Sequence, residues 1–305
     1  MSLNGVRIKT IKVKVSLYII VTISVDIGIP VYNEERYIGN LLNHILRHKF
    51  NFRLMKIFVV CSGCTDESVK IVKEMARKSK KIILLTEKKR NGKFSAINII
   101  LKHTKGDYII FMDADTIPKN HALDILIDYF KNNAVGVVTG KVIPTQSKDT
   151  LSGYFHNLNC NMHHELSYTF PRMGNLFVVR RGIVEEIPKK IINDDVYLPS
   201  KIAETHSVVY APQAEIILIE NYNFKSYAHQ RRRIAQGNMQ LSMLGINNHL
   251  NWMIIAKILL KRIAKEPRKI IFILLAAIIE IYAYATAFYD IKKGRIEYKW
   301  KKIGD

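Results

Sequence analysis

The chain has 305 residues, 48% of them hydrophobic, and a formal net charge of +21. That length and apolar content exclude a disordered chain and allow one large domain, or one domain with an appendage. The charge favours a polyanionic partner (nucleic acid, an anionic membrane or a phosphorylated substrate) without choosing among them.

The sequence predicts alternating strands and helices over its first two-thirds. Thr22–Ile29 reads as a strand and Glu34–Leu46 as a helix; Lys56–Cys61 and Asp66–Arg77, Lys81–Leu85 and Lys93–His103, and Tyr108–Met112 and Asn120–Lys131 repeat the pair. Short β-branched runs alternating with amphipathic helices imply βαβ units and a mostly parallel sheet flanked by helices. Ligands bind such sheets beyond the carboxyl ends of the strands. The basic lead-in 1–21 shows no cleavable signal sequence: its apolar run continues into Pro30 without a small-residue cleavage site. Cys61, Cys64 and Cys160 are too few for a disulfide framework and fit a reducing compartment. The C-x-x-C of the first two lacks the second pair a zinc site would need.

The strand ends are unusually polar. Asp113-Ala114-Asp115 follows the wholly apolar Tyr108–Met112, where two carboxylates are costly unless they bind something positive. An Asp-x-Asp there can share a divalent cation, Mg²⁺ or Mn²⁺, with a diphosphate; the plain alternative is a solvated turn capping the next helix. Asn91-Gly92-Lys93 opens a helix, where a lysine and the terminal amides can meet phosphate, although Asn-Gly is also a common surface turn. In Asn193-Asp194-Asp195, adjacent carboxylates repel, which can tune one toward a general base; the alternative is an acidic first helical turn. Gln230-Arg231-Arg232-Arg233 offers guanidinium forks for phosphate, or a solvated basic face.

In this order the motifs resemble glycosyltransferase family 2. The residues that carry the resemblance are Ile29-Pro30-Val31-Tyr32-Asn33-Glu34-Glu35, Ser62-Gly63-Cys64-Thr65-Asp66, Asn91-Gly92-Lys93 with Ala96 and Asn98, Asp113-Ala114-Asp115, Asp194-Asp195-x-x-Leu198 and Gln230-x-x-Arg233. The resemblance covers roughly 22–240 and implies a Rossmann-like GT-A fold and inverting transfer of a sugar from a nucleotide-diphosphate donor. It also implies roles. Pro30, Tyr32 and Glu34 would surround the nucleoside, with Asp66 in the same loop region. Lys93 would support the nucleotide, and Asp113 and Asp115 would form the metal and diphosphate site. Asp195 would be the catalytic base, flanked on the acceptor side by Asp194 and Gly174, and Gln230 and Arg233 would close over the diphosphate. The sequence departs from the family at Ser62, where Asp is usual, at Asp194, where Glu is usual, and at Ile234, where Trp is usual. A metal-dependent nucleotidyltransferase acting on a sugar phosphate is the alternative, but it should carry a glycine-rich loop where Pro30–Glu35 has no glycine. No G-x-G-x-x-G follows the first strand, against a dinucleotide oxidoreductase. The basic residues do not interleave with aromatics along the chain, against a nucleic-acid partner.

Residues 1–225 are therefore expected to form the catalytic domain, and 226–305 an arginine-rich helix followed by a membrane-associated helical region. Trp252–Ala264 reads as a basic amphipathic helix, and Ile270–Tyr289 is apolar apart from Glu280 and about long enough to cross a bilayer. Cations flank both ends, so a single span, an in-plane or hairpin attachment, and a buried helical cap all stay open. The expected location is the cytoplasmic face of the cell membrane, with a glycan or polyprenyl-phosphate-linked acceptor.

Overall fold

The computed structural model describes residues 23–184, 186–219, 223–246 and 252–296; the lead-in 1–21 lies outside them. Strand β1 (Ser24–Val31) pairs in parallel with β2 (Arg53–Ser62) and β4 (Tyr108–Met112), and β2 with β3 (Ile82–Glu87). Helices α1 (Ile38–Arg47), α2 (Ser68–Lys78) and α3 (Lys93–His103) make the crossovers. This half matches the predicted βαβ series, and α3 has the predicted ends.

The second half is mixed rather than parallel. Strand β5 (Thr116–Pro118), helix α4 (Ala122–Asp128), β6 (Val135–Pro144), α5 (Leu151–Ser167), β7 (Leu176–Arg180), α6 (Asp194–Ile202) and β8 (Ser207–Leu218) complete a sheet of order β3-β2-β1-β4-β7-β6-β8-β5. Strand β7 runs antiparallel to both β4 and β6, β5 runs antiparallel to β8, and β6 and β8 are parallel. Four of the seven pairings are parallel, as expected, and the antiparallel β5 and β7 are silent in the sequence for a physical reason. A strand covered on both faces reads as the same apolar run whichever way it points, and Leu176–Val179 are buried throughout.

Each face of the sheet packs its own helices. Val25, Ile27, Ile29, Ile110 and Met112 pack with α1, α2 and α4; Phe58, Val60, Ile109 and Phe111 pack with α3 and α6. Gly28 lets α3 press onto β1, since a Cβ there would meet Ile100 at 2.6 Å. Asp26 is 1% exposed in this apolar strand. Its carboxylate accepts from the amides of Lys56, Lys105 and Gly106 at 3.0, 2.7 and 2.8 Å, which compensates its burial and ties the starts of β1, β2 and β4 together.

Helices α7 (Phe224–Met243), α8 (Trp252–Lys265) and α9 (Ile270–Lys292) follow. The expected boundary at 225/226 falls in the first turn of α7. Helix α9 is the one candidate span among the described residues, Pro267–Lys292 with mean hydropathy 2.2. It lies along α7 through a polar seam. Arg231 pairs with Glu280, Arg232 Nε donates to Asp290 at 2.7 Å, Gln236 donates to Asp290 at 3.0 Å and Asn238 to the Tyr284 hydroxyl at 3.0 Å. Its opposite side exposes Ile271, Leu274, Ile278, Ile281, Tyr282 and Phe288, a stripe at helical spacing.

Candidate active site

The loops after β1 and β2 are stapled to each other. Asn33 accepts from the Thr65 amide at 2.9 Å, Glu34 N donates to the Ser68 hydroxyl at 2.7 Å, and Glu35 N donates to Asp66 at 3.0 Å. Asp66 also accepts from Ser68 N at 3.0 Å. Its carboxylate is thus used to shape the start of α2 and to hold the β1 loop, and it does not line the cleft. An Asp just ahead of a helix serves its amides as readily as it serves a ligand, and spacing alone does not tell the two apart. Gly63, at φ +63°, lets this loop touch the next; a Cβ there would meet Arg90 N at 2.4 Å.

Pro30, Tyr32, Glu34, Lys93, Asp113, Asp115, Gly174, Asp194, Asp195, Gln230 and Arg233 all line one cleft of about 260 Å³ at the carboxyl ends of β1, β2 and β4. Lys93 Nζ sits 2.7 Å from Asp113 Oδ1, and Asn175 Nδ2 donates to Asp113 Oδ2 at 2.9 Å. Burial alone would lower the Lys93 pKa, but Asp113, Asp194 and Asp195 outweigh it and hold the ammonium above its ordinary value. Asp115, 7% exposed, supplies a second carboxylate to the cleft wall. An all-oxygen pair beside a cation-lined cavity suits a hard divalent ion with room for phosphate oxygens, so Asp113 and Asp115 fit Mg²⁺ or Mn²⁺.

Asp194 and Asp195 begin α6, so the acidic helix turn and the candidate base are the same residues. Burial first, and then the Asp194 charge, push the Asp195 carboxyl up to about 6, against the pull of Arg172, Lys93 and Arg233. That value puts its charge change close to working pH, as a general base requires. The backbone there is anchored from two sides: Met173 N donates to Asp195 O at 3.0 Å, and Asn193 Nδ2 donates to Ile234 O at 3.1 Å and to Asn238 Oδ1 at 3.0 Å. The three consecutive arginines diverge. Arg231 and Arg232 are taken by α9, while Arg233 lines the cleft and donates to Ile192 O at 2.9 Å.

Sequence reading missed Arg90, whose guanidinium lies 3.5 Å over the Tyr32 ring at the cleft edge. It also missed Asn175, which orients Asp113, and Arg172, a nearly buried cation facing Asp195. Arg90 carried a detectable signal, an arginine just ahead of Asn91-Gly92-Lys93. Asn175 stands beside the singled-out Gly174, and its role depends on β7 pairing with β4.

Residues 26–187, just over half the chain, match the family described as Glycosyl transferase family 2. The chain belongs to that family. Among curated relatives it is 27% identical over 232 residues to a probable glycosyltransferase, YdaM, of Bacillus subtilis, covering 70% of this chain and 55% of that protein. It is 28% identical over 162 residues to dolichyl-phosphate beta-glucosyltransferase ALG5D of Trichomonas vaginalis, covering 50% of this chain and 48% of that one. The chain thus spans about half the length of these two relatives. A mannosyltransferase of Pyrobaculum calidifontis, solved with GDP-Man and Mn²⁺, superposes with TM-score 0.57 at 22% identity, covering 88% of this chain and 79% of that one. That likeness establishes the GT-A fold.

Proposed function

We propose that this chain transfers a sugar, with inversion, from a nucleotide-diphosphate donor to a hydroxyl or phosphate of a glycan or lipid-linked acceptor at a membrane. The observation that carries this reading is the convergence of Lys93, Asp113 and Asp115 with Asp195 in one cleft. Asp195 takes the proton from the acceptor oxygen as that oxygen attacks the anomeric carbon and the bond to the diphosphate breaks. Lys93 and Arg233 bring positive charge to the diphosphate side, where negative charge grows as the sugar leaves. Tyr32 with Arg90 offers a flat platform for the nucleoside, and Asp194 and Gly174 face the acceptor. A divalent ion held by Asp113 and Asp115 would neutralise phosphate oxygens and stabilise the leaving diphosphate. The Pyrobaculum enzyme's GDP-Man and Mn²⁺ and the Trichomonas enzyme's dolichyl phosphate support these substrate classes.

The membrane part of the proposal rests on α8 and α9. Their outward stripe leaves Met253, Leu260, Ile278 and Ile281 at least 61% exposed. Lys257, Lys261, Lys265 and Arg268 lie along the same region. An apolar stripe with a cationic rim fits the interface of an anionic bilayer. The inward side of α9 carries Glu280 and Asp290, which pair with Arg231 and Arg232 of α7. In-plane attachment needs no break in that seam, and it sets the cleft close to the cytoplasmic membrane face.

The test is incubation with uridine and guanosine diphosphate sugars, with and without Mn²⁺, in membranes carrying polyprenyl-phosphate acceptors. Release of nucleoside diphosphate with glycosylated lipid is expected. Release of pyrophosphate from a nucleoside triphosphate and a sugar phosphate would instead make the chain a nucleotidyltransferase. Ile278→Glu with Ile281→Glu should abolish sedimentation with anionic vesicles while leaving hydrolysis of the donor intact; unchanged sedimentation would remove the membrane part.

A further inference from the structure

A second cluster lies away from the cleft, where the end of α1 meets the start of α4. His48 is the residue that closes α1, His121 directly precedes α4, and Asp124 is in the first turn of α4. Among the described residues these three bring one ligand atom each to within 4.8 Å of one another. Asp124 is 6% exposed; its Oδ1 accepts from Asn51 N at 2.8 Å, but its Oδ2 is buried with no hydrogen bond. A buried carboxylate oxygen without a partner is costly unless something positive meets it.

Two imidazoles point at that oxygen. His48 Nε2 lies 3.6 Å and His121 Nδ1 3.7 Å from Asp124 Oδ2. Both distances are too long for hydrogen bonds. They are close to the edge of a tetrahedral site, because ligands about 2.0–2.1 Å from a central zinc ion lie about 3.4 Å apart. His121 adopts φ +62°, the left-handed region that a histidine enters at a cost, and this conformation belongs to the residue that aims Nδ1 inward. The Phe50 ring, 4.7 Å from that of His48, packs one side. Lys119, two residues before His121, is turned to Glu215 at 2.6 Å.

We propose that His48, His121 and Asp124 form a second cation site, separate from the Asp113/Asp115 pair and selective for Zn²⁺. Two imidazole nitrogens and one carboxylate suit borderline-soft Zn²⁺, whereas the all-oxygen pair in the cleft suits Mg²⁺ or Mn²⁺. The remaining position is open to water, since His121 is exposed. Such an ion ties the α1–β2 connection to the turn after β5. Strand β5 begins at the residue after Asp115, so the ion fixes the far end of the segment that carries one of the cleft carboxylates.

The full chain, stripped with EDTA and dialysed, is titrated with Zn²⁺ by calorimetry in excess Mg²⁺, and its thermal midpoint is recorded with and without Zn²⁺. One Zn²⁺ per chain and a raised midpoint are expected for the wild type and for Asp115→Asn. His121→Ala should weaken Zn²⁺ binding by at least roughly tenfold and abolish the midpoint shift. Asp124→Asn should do the same. No Zn²⁺ binding to the wild type would reduce the cluster to an Asp–His ion pair. Unaltered binding in His121→Ala, or binding lost in Asp115→Asn, would likewise overturn the site.

Discussion

The two walls of the cleft are built by different means. One wall consists of strand ends: Pro30 is paired in the parallel β1–β2 ladder, Tyr32 directly follows β1, and Asp113 directly follows β4 with its backbone N donating to Asn175 O at 3.1 Å. The other consists of the Ile192–Asp195 segment and α7, and it is held by side chains reaching across some 40–48 residues of sequence. Gln240 accepts from Ile192 N at 3.0 Å, Asn193 donates to Asn238, and Arg233 donates to Ile192 O. Ladder hydrogen bonds position a residue through its backbone, whatever its neighbours. Side-chain bonds position it only while each partner keeps its shape. The strand wall should therefore answer to mutation through lost charge, and the helix wall through lost geometry.

The largest expected effect is at Asp195, where both walls meet. Asp195→Asn removes the proton acceptor and should lower kcat for sugar transfer by about 10²–10⁴-fold. Near-normal turnover would reject its role. Because burial and Asp194 push its carboxyl up to about 6, the wild type should lose activity as pH falls through about 6. The sign is testable on both neighbours. Asp194→Asn removes a repelling charge and should move that acid limb to lower pH; Arg233→Met removes an attracting one and should move it to higher pH. A limb that stays in place in both variants would mean another group titrates.

Lys93→Met probes the strand wall through charge. A lost donor at a site of developing negative charge costs about 2.7–4 kcal/mol, or roughly 10²–10³-fold in kcat. The fold should be intact, since α3 keeps its apolar face of Phe94, Ile97 and Ile100. A fall in thermal midpoint that accounts for the lost activity would assign Lys93 a structural role instead.

The contrast between the walls also sets what the sequence could reveal. Asp113 and Asp115 stand out because two carboxylates after five buried apolar residues demand an explanation. The order of strand-end motifs carries the rest of the first wall. Asp66 is ambiguous in sequence because an Asp ahead of a helix looks the same whether it serves a ligand or, as its bonds here do, the amides of Glu35 and Ser68. The antiparallel β7 is silent for the reason given by its uniform burial, and with it Asn175. In Arg231-Arg232-Arg233 composition reads as a basic face. Only the packing of α9 shows that two of the three arginines serve Glu280 and Asp290.

Gly237→Ala tests the helix wall through geometry alone. Alanine is the better helix former by about 1 kcal/mol, so an unconstrained position would gain stability. Here a Cβ would stand 2.3 Å from the Asn193 side chain, whose amide has nowhere free to go while it bonds Ile234 and Asn238. Overpacking of that kind costs about 1–3 kcal/mol and outweighs the propensity gain. The expected outcome is a modestly lower thermal midpoint with a several-fold lower kcat, as Asn193 displaces the first turn of α6. A raised midpoint with full activity would show that the 193–195 segment does not depend on α7.

Arg90 should give the smallest effect, and it separates charge from shape on the strand wall. Its guanidinium carbon lies 3.5 Å from the Tyr32 ring centroid, a contact worth about 0.5–1 kcal/mol at such a site, which corresponds to a two- to fivefold change in binding. Arg90→Lys keeps the positive charge but loses the planar stack. If the pair is a platform for the nucleoside, the lysine variant should raise the donor KM two- to fivefold while kcat holds. Arg90→Ala should then add little beyond that. If instead Arg90 contributes only charge toward the diphosphate, Arg90→Lys should bind donor as the wild type does and only the alanine should weaken it. Measuring both variants with the free nucleoside diphosphate, which lacks the sugar, confines the readout to the nucleotide half of the cleft.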